Sequence, residues 1–478
     1  MRGGVATVSA QAMKFVLNIG STAVLARLLT PTDFGLFAMV ASFTGFVALF
    51  TDIGLSRATV QQSNITQDQV STLFWINVAL GLGLAALCAA SAPLVAKFYG
   101  EPQLMRITLA ISATFIFAGL TSQHAALLQR QMRFGVLSFI DVIAMASGIA
   151  AAIVLALFHA RYWALVVMPA MQSVVVLIGM WLASGWMPGR PRRGSGVIPM
   201  LKFGGNLTGF NVLNYLTRNF DNILIGDFLG AGSLGIYSKA YNLLLMPIRQ
   251  ISSPMGAVAL PALCRLQHEP DQYRRYCLRA VKIIAFFGMP LVAFTFIEAG
   301  DLVLTLLGRQ WTAAIPVFRW LAPAAFVGTL SVVPEWLCNS LGTTYRLFRW
   351  ALVAVPVIIG GFAIGLKWGP AGVAASFSLT WCTSFIVLLI YSCADSPVHV
   401  SEIFLRLRST VLASIFTALL VGIVFQPFLH HLQSPALRAI LTAWIFAAVF
   451  LGVHLLSRPG RSTLREMVGI ASHFRRRK

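Results

Sequence analysis

The feature that most constrains this sequence is a series of apolar runs that recurs from its first residues almost to its end. An α-helix needs about 20 residues to cross the hydrocarbon core of a bilayer, and each run is roughly that long. Charged residues make up only 11% of the 478 residues, against about 25% in soluble domains. We therefore predict an all-α integral membrane protein with fourteen transmembrane helices, at residues 5–29, 34–53, 73–97, 104–124, 139–158, 162–183, 203–225, 233–258, 280–298, 318–338, 348–366, 371–391, 410–429 and 436–456.

The basic residues indicate how these helices are oriented. The first apolar run is too long for a cleaved signal peptide, so we expect it to be retained as the first helix. With the N-terminus inside, 25 of the 36 lysines and arginines fall on the cytoplasmic side and 8 in outer loops. This excess follows the positive-inside rule and predicts that both termini are cytoplasmic. It also attributes most of the net charge of +21 to topology and anionic lipid, so we expect no nucleic-acid partner.

The sequence repeats itself at an offset of 200 residues. Residues 24–37, VLARLLTPTDFGLF, align with residues 224–237, LIGDFLGAGSLGIY, and Gly35 then coincides with Gly235. Each segment ends one predicted helix and begins the next, which predicts two six-helix lobes related as parallel repeats. The predicted parts of the chain are an N-terminal lobe at 1–184, a basic cytoplasmic linker at 185–202, a C-terminal lobe at 203–394, and an additional helix pair with a basic tail at 395–478.

One predicted helix carries a polar face that a helix surrounded by lipid would not keep. Asn211, Asn214, Arg218 and Asp221 follow one another at spacings of 3, 4 and 3, which places them on one side of a helix. A charge at the centre of a bilayer costs roughly 2.5–3.5 kcal/mol on insertion scales. We therefore expect this face to line a water-filled cavity.

Two other helices supply polar residues to the predicted cavity. At the offset of 200, Lys14 aligns with Asn214 and Asn18 with Arg218, and Lys239 lies in the following helix. Basic residues outnumber the one clear acid, so the cavity should bind an anion, and the planar guanidinium of arginine suits phosphate. The predicted substrate-binding residues are Lys14, Asn18, Asn211, Asn214, Arg218, Asp221 and Lys239.

Alternatives to this interpretation stay open. Arg218 and Asp221 could only neutralise each other as a structural pair, and residues 203–225 could lie flat at the membrane surface. Lys14 and Lys239 have no acid within reach on their own helices, although Lys239 could extend to the interface.

The acidic residues suggest sites for coupling to an ion gradient. Asp221 and Glu335 are the candidates, because both fall within predicted spans. Asp141 and Glu298 lie close to predicted helix ends, and we expect their carboxylates to be solvated.

Several classes of protein find no support in the sequence. It contains no GxxxxGK[ST] phosphate-binding loop, and its short outer loops leave little room for an extramembrane active site. The six cysteines and eight histidines show neither metal-ligand spacing nor a disulfide framework. We expect a carrier and not an enzyme, with no catalytic residues, metal or cofactor.

Many of the loops match a known pattern. The sequence contains ARLLTPTDFGLFAM, DIGLSRATVQQ, STLFWINVALGLG, APLVAKFYGEPQL and YWALV, followed by LPALCRLQHEPDQYRRYCLRA, GRQWTAAIPVFRWLAP and GPAGVAAS. Together these segments resemble the polysaccharide flippases of the multidrug/oligosaccharidyl-lipid/polysaccharide exporter superfamily. The resemblance covers about residues 20–390.

The resemblance implies a flippase of the bacterial inner membrane that works by alternating access. The implied substrate is an oligosaccharide linked to undecaprenyl pyrophosphate, such as an O-antigen, capsule or exopolysaccharide precursor, which moves from the cytoplasmic to the outer leaflet. A proton or sodium gradient would drive it. Besides membrane lipids, a glycan polymerase and a chain-length regulator are implied as possible partners, and one chain already holds a complete pathway, so we expect a monomer.

Two other functions remain open. A multidrug or organic-cation antiporter of the same fold would need buried acids where this sequence has mainly basic residues. A non-transporting scaffold of a glycan assembly complex would need no polar face within the membrane.

Overall fold

A computed structural model describes most of the chain. It covers residues 2–51, 55–62, 65–191, 198–429, 431–457 and 460–465, with the side chains of all of these except residues 2–8, 57, 58, 61, 198–214 and 216–218. The described part is helical throughout, apart from short turns and loops. The helices are α1 (Arg2–Leu28), α2 (Pro31–Ala48), α3 (Leu55–Gln61), α4 (Gln67–Tyr99), α5 (Gln103–Arg130), α6 (Phe134–Leu157), α7 (Trp163–Ser184), α8 (Ile198–Arg265), α9 (Pro270–Ile297), α10 (Ala299–Leu306), α11 (Ala314–Gly328), α12 (Val332–Ser340), α13 (Thr344–Gly365), α14 (Gly369–Cys393), α15 (Val400–Leu420), α16 (Gln426–Leu429) and α17 (Pro435–Leu456).

Helix α8 is two helices joined by a sharp break. Gly230 has φ 78° and ψ 175°, a backbone conformation that glycine adopts readily because it has no Cβ. The break therefore divides α8 into α8a, residues 198–229, and α8b, residues 231–265.

The predicted all-helical membrane fold is confirmed. Eleven helical stretches of the described chain are long and apolar enough to cross a bilayer. One of these stretches, Thr344–Cys393, contains both α13 and α14, and another runs through the break in α8. With α1, whose polar residues lower its hydropathy, the described helices match the fourteen predicted spans in order.

The predicted span 318–338 differs in detail from the structure. It is split into α11 and α12, with turns at residues 329–331. Pro334 follows the break, and its ring would clash with the carbonyl of Leu330, four residues earlier, in a continuous helix.

The chain divides into two compact units, Met1–Gly235 and Ile236–Lys478. The lobe and linker boundaries predicted from the sequence remain a prediction. Helix α8 begins at Ile198, so the last five residues of the predicted linker 185–202 are helical. The basic residues Arg192 and Arg193 lie outside the described residues.

Glycines set the close packing of the first unit. There α4 packs on α5, α5 on α7, and α6 on both α7 and α1. A Cβ at Gly119 would lie 2.5 Å from the carbonyl oxygen of Asn77, and one at Gly81 would lie 2.6 Å from that of Phe115. The backbones of α4 and α5 therefore approach more closely than larger residues would allow.

The closest approach in the first unit joins α2 to α8b. A Cβ at Gly35 would overlap the carbonyl of Ala231, and a Cβ at Gly235 would overlap the carbonyl of Pro31. At the offset of 200 the two contacts exchange equivalent residues, as contacts across a twofold axis do. Small residues four apart allow such backbone contact between membrane helices. We call this contact the α2–α8b crossing.

Both helices of the crossing begin at a defined break. Before α2, the Thr30 hydroxyl accepts a hydrogen bond from the Asp33 amide at 3.3 Å, and the Asp33 carboxylate accepts one from the Thr30 amide at 3.0 Å. This capping box satisfies two backbone donors that the helix itself leaves unpaired. Before α8b the break is Gly230, the residue that aligns with Thr30 at the offset of 200.

In the second unit, α9 is the central helix. It packs against α11 and α15, and its buried side chains join a core with residues of α12, α14 and α15. The hydroxyls of Tyr273 and Ser340 form a hydrogen bond of 2.7 Å inside this core.

Two arginine–carboxylate pairs attach the C-terminal helices to α9 and α10. At the start of α9, the Arg274 guanidinium binds the Glu402 carboxylate of α15 through two nitrogens, with Nε 2.7 Å from Oε2. At the other end, Arg438 of α17 binds Asp301 of α10 in the same manner, again with a 2.7 Å bond from Nε. Paired bonds of this kind fix geometry as well as charge.

The expectation that Glu298 is solvated is wrong. Its side chain is only 1% exposed, because α16 and α17 cover the turn between α9 and α10. The Gln426 amide donates a hydrogen bond of 3.1 Å to Oε1 of Glu298.

We predict that Gly35→Val and Gly235→Val each destabilise the protein by about 1–3 kcal/mol, the usual cost of overpacking a tight contact. Each valine would push α2 and α8b apart. The measurement is the unfolding temperature of the purified protein in detergent. The matched control is Gly83→Val, since no atom lies within 4 Å of a Cβ at Gly83. An unfolding temperature for Gly35→Val equal to that of Gly83→Val would contradict the packing role.

Candidate substrate-binding site

The polar face of α8a has a counterpart on α1. Along α1, Gln11, Lys14, Asn18 and Ser21 are spaced by 3, 4 and 3 residues and share one side of the helix. We call these four residues the α1 stripe. The α8a stripe consists of Asn211, Asn214, Arg218 and Asp221, each 200 residues further on.

Both stripes stand at the same number of residues from the α2–α8b crossing. Ser21 precedes Pro31 by ten residues and Asp221 precedes Ala231 by ten. These members nearest the crossing are buried, with Ser21 7% and Asp221 3% exposed. On α1, Gln11 and Asn18 are exposed and Lys14 is partly exposed.

Tyr215 attaches α8a to α2 beside the stripe. Its hydroxyl donates to the carbonyl oxygens of Ser42 at 2.9 Å and Ala41 at 3.3 Å. Its ring lies 6.3 Å from that of Phe46. Gly45 provides the space, because a Cβ there would overlap the Tyr215 hydroxyl. The sequence does not single out Tyr215, since a tyrosine in an apolar helix has no distinctive spacing.

Local hydrogen bonds order the end of α8a. The Asn219 amide donates to the carbonyl of Tyr215 at 3.0 Å, and a carboxylate oxygen of Asp221 accepts from the backbone amide of Asn222 at 2.8 Å. The side chains of Asn211, Asn214 and Arg218 lie outside the described residues, so their cavity lining and the Arg218–Asp221 pair remain predictions.

The second unit holds the two other predicted residues. Lys239 lies on α8b and is partly exposed. Glu335 and Asn339 are exposed, one turn apart, on α12. Their roles remain predictions. No cluster of three metal-ligating side chains occurs in the searched, described part of the chain.

The structure gives Lys14 a partner on another helix and corrects the expectation for Asp141. Lys14 has an acidic partner, because its ammonium nitrogen lies 3.0 Å from a carboxylate oxygen of Asp141 on α6. Asp141 is therefore not simply a solvated residue at a helix end. Because Asp141 adds a negative charge beside Lys14, the excess of positive charge among the site residues is smaller than the sequence predicts. Asp141 is the single charged residue of α6, and this was the signal in the sequence that could have revealed the pair.

The fold and the paired stripes together define a class of protein. A multi-pass helical bundle with polar residues at matching positions of two repeated segments is typical of a secondary transporter. The family model described as "Polysaccharide biosynthesis protein" matches residues 24–316. The chain belongs to this family.

Curated relatives and a solved structure agree with this assignment. The teichuronic acid biosynthesis protein TuaB of Bacillus subtilis is 28% identical over 66% of this chain and 66% of its own length, which leaves about a third of TuaB unmatched. The succinoglycan biosynthesis transport protein ExoT of Rhizobium meliloti is 25% identical over 96% of this chain and 92% of its own. The structure of the lipid II flippase MurJ in an inward closed conformation superposes with a TM-score of 0.75. It covers 94% of this chain and 98% of MurJ at 13% identity, and so demonstrates a shared fold.

We predict that Tyr215→Phe lowers stability by about 0.5–1.5 kcal/mol, the net value of a typical hydrogen bond. The ring contact with Phe46 should survive. Tyr215→Ala should cost more, because it removes the ring as well. Unfolding temperatures in detergent test both, and Tyr345→Phe, on a half-exposed tyrosine, serves as the matched control. Equal losses in Tyr215→Phe and Tyr345→Phe would show that the bonds to α2 contribute nothing.

Proposed function

We propose that this protein is a flippase for an oligosaccharide linked to undecaprenyl pyrophosphate. It moves this precursor of O-antigen, capsule or exopolysaccharide from the cytoplasmic to the outer leaflet of the bacterial inner membrane by alternating access. Membership of the polysaccharide biosynthesis family supports the class of substrate. The name of ExoT as a transport protein and the fold shared with a lipid II flippase support translocation as the activity.

The paired stripes are the observation that carries the proposal. Polar and charged residues are expensive within a bilayer unless they face water or a partner. Here they recur at the same four positions of α1 and α8a. On α1 the residues farther from the crossing are accessible, and Ser21 beside it is not. With the N-terminus cytoplasmic, the accessible end faces the leaflet in which the substrate is made.

The chemistry of the stripes suits a pyrophosphate head group. Each phosphate oxygen needs a donor once it leaves water, because an unpaired charge in an apolar medium is costly. Arg218 offers a planar pair of N–H donors and Lys14 a compact ammonium group. The head group occupies the polar space while the polyprenyl chain stays in the surrounding lipid.

The amides of the stripes suit the sugar. Asn18, Asn211 and Asn214 each present a donor and an acceptor, as sugar hydroxyls do. Such groups bind many hydroxyl patterns, so they confer little selectivity among glycans.

Transport requires that the substrate is released on the other side. Asp221 and Glu335 are our proposed sites of coupling to a proton or sodium gradient. The protein acts as a monomer, and a glycan polymerase and a chain-length regulator are the proteins expected to receive its product.

We expect Arg218→Ala to abolish glycan export while the protein remains in the membrane at its normal level. Arg218→Lys should preserve part of the export, because it keeps the charge but loses the paired hydrogen bonds. Export is measured as surface polysaccharide, and abundance by immunoblot of membranes. Arg161→Ala, which removes a charge outside the helices, is the control. Normal export by Arg218→Ala would reduce Arg218 to a packing residue.

Deletion of the gene in its host tests the function as a whole. The lipid-linked glycan is measured separately in the two leaflets of the inner membrane. Build-up on the cytoplasmic face, reversed by the intact gene, is the expected result. An unchanged distribution with altered resistance to cationic drugs would instead indicate an organic-cation antiporter. An unchanged distribution with normal resistance and defective polymer assembly would indicate a scaffold.

A further inference from the structure

The ion pair between Lys14 and Asp141 differs from the two arginine pairs that attach the C-terminal helices. Its two side chains are 30% and 44% exposed, and a single bond of 3.0 Å joins them. The Arg438–Asp301 pair, in contrast, has side chains 17% and 15% exposed and joined by two bonds. A partly exposed ion pair joined by one hydrogen bond can exchange partners at little cost. A buried ion pair joined by two hydrogen bonds cannot.

The carboxylate of this pair has few other partners on the neighbouring helices. Asp141 is the only charged residue of α6, and α7, which packs on α6, has none. On α1 the other basic residues are Arg2 and Arg27, each more than three turns from Lys14. Helix α5 also contacts α6, but the guanidinium of its Arg130 binds the carbonyls of Thr59 and Gln62. Among the described side chains, Lys14 is the cation that pairs with Asp141.

The pair contributes little to holding the helices together. Helices α1 and α6 also contact each other through other residues, and partly exposed ion pairs add little to stability. A lone carboxylate or ammonium group within a span is unfavourable, however. The benefit of the pair is that each charge has a partner while no substrate is bound.

We propose that Asp141 is a resident counter-ion of Lys14 that the anionic head group of the substrate displaces. This rests on the proposed function and adds a residue to it. In the empty protein Asp141 neutralises Lys14. When a phosphate oxygen binds the ammonium group, Asp141 loses its partner in an otherwise uncharged helix. The bound state is thereby penalised, so Asp141 weakens binding and favours release.

Binding of a short polyprenyl pyrophosphate by the full-length protein tests the proposal. The probe is farnesyl pyrophosphate, titrated calorimetrically into protein in nanodiscs of phosphatidylethanolamine. Asp141→Asn should bind the probe about twofold to fivefold more tightly, the range expected for removal of one exposed competing charge. Lys14→Gln should weaken binding, and in the background of Lys14→Gln the Asp141→Asn change should have no further effect.

Two controls separate this effect from others. Glu101→Gln makes the same change in net charge in a loop of the first unit, and it should leave the dissociation constant unchanged. Farnesol, which lacks the pyrophosphate, should bind Asp141→Asn and the wild-type protein equally. Asp141→Ser repeats the test with a second uncharged side chain if Asp141→Asn does not fold.

The outcomes distinguish this proposal from the proposed function. Unchanged or weaker binding by Asp141→Asn, with normal binding by the wild type, overturns the counter-ion role and leaves the flippase intact. Absence of pyrophosphate-dependent binding in the wild type removes both the counter-ion role and the proposed recognition of the head group. If phosphatidylglycerol in the nanodisc abolishes the difference between Asp141→Asn and the wild type, Lys14 takes lipid phosphate in general, and the proposal fails.

Discussion

A charge inside a bilayer must face water or a partner of opposite sign, and this requirement explains where the polar residues of the protein lie. An ion there costs roughly 2.5–3.5 kcal/mol on insertion scales, so a chain with only 11% charged residues places few ions within its spans. Two of those described have such partners. Lys14 contacts Asp141, and Asp221 accepts a backbone hydrogen bond. The same requirement makes the two stripes informative, because helices that only packed against neighbours would have no use for eight polar positions in register.

The α2–α8b crossing is a fixed position to which both stripes can be related. Glycine at 35 and 235 brings the two backbones into contact, and the exchange of equivalent residues makes the contact nearly symmetric. Both stripes precede this one fixed point by the same number of residues. Tyr215 also links the two segments, because its hydroxyl, on α8a, donates hydrogen bonds to carbonyl oxygens of α2. The position of the candidate site thus follows from backbone packing, which single polar substitutions within the stripes would leave intact.

Much of this organisation is readable from the sequence, and the parts that are not have a physical reason. Most of the helices and their order follow from hydropathy, since a span needs about 20 apolar residues. The offset of 200 residues predicted that positions 35 and 235 correspond, because glycine at a helix contact leaves a local trace. Partners on different helices leave none. Asp141 and Glu298 were expected to be solvated because each stands near an end of its predicted helix, yet both are covered or paired by helices distant in sequence. The break before Pro334 was readable in principle but was obscured by the apolar run across it.

The ion pairs that attach the C-terminal helices contain arginine, whereas the pair that we assign to the substrate path contains lysine. Where the C-terminal helices are attached, Arg274 and Arg438 each grip a carboxylate through two nitrogens, and the planar fork fixes both angle and distance. On α1 the cation is a lysine, whose three rotatable donors can bind a carboxylate and a phosphate in turn without a change of backbone. If the cation on α1 were an arginine that bound Asp141 through two hydrogen bonds, Asp141 would compete with the substrate far more strongly. This difference between lysine and arginine in the exchange of partners follows from side-chain geometry alone. The charge that can exchange partners is then Lys14, on α1, where the stripe remains accessible.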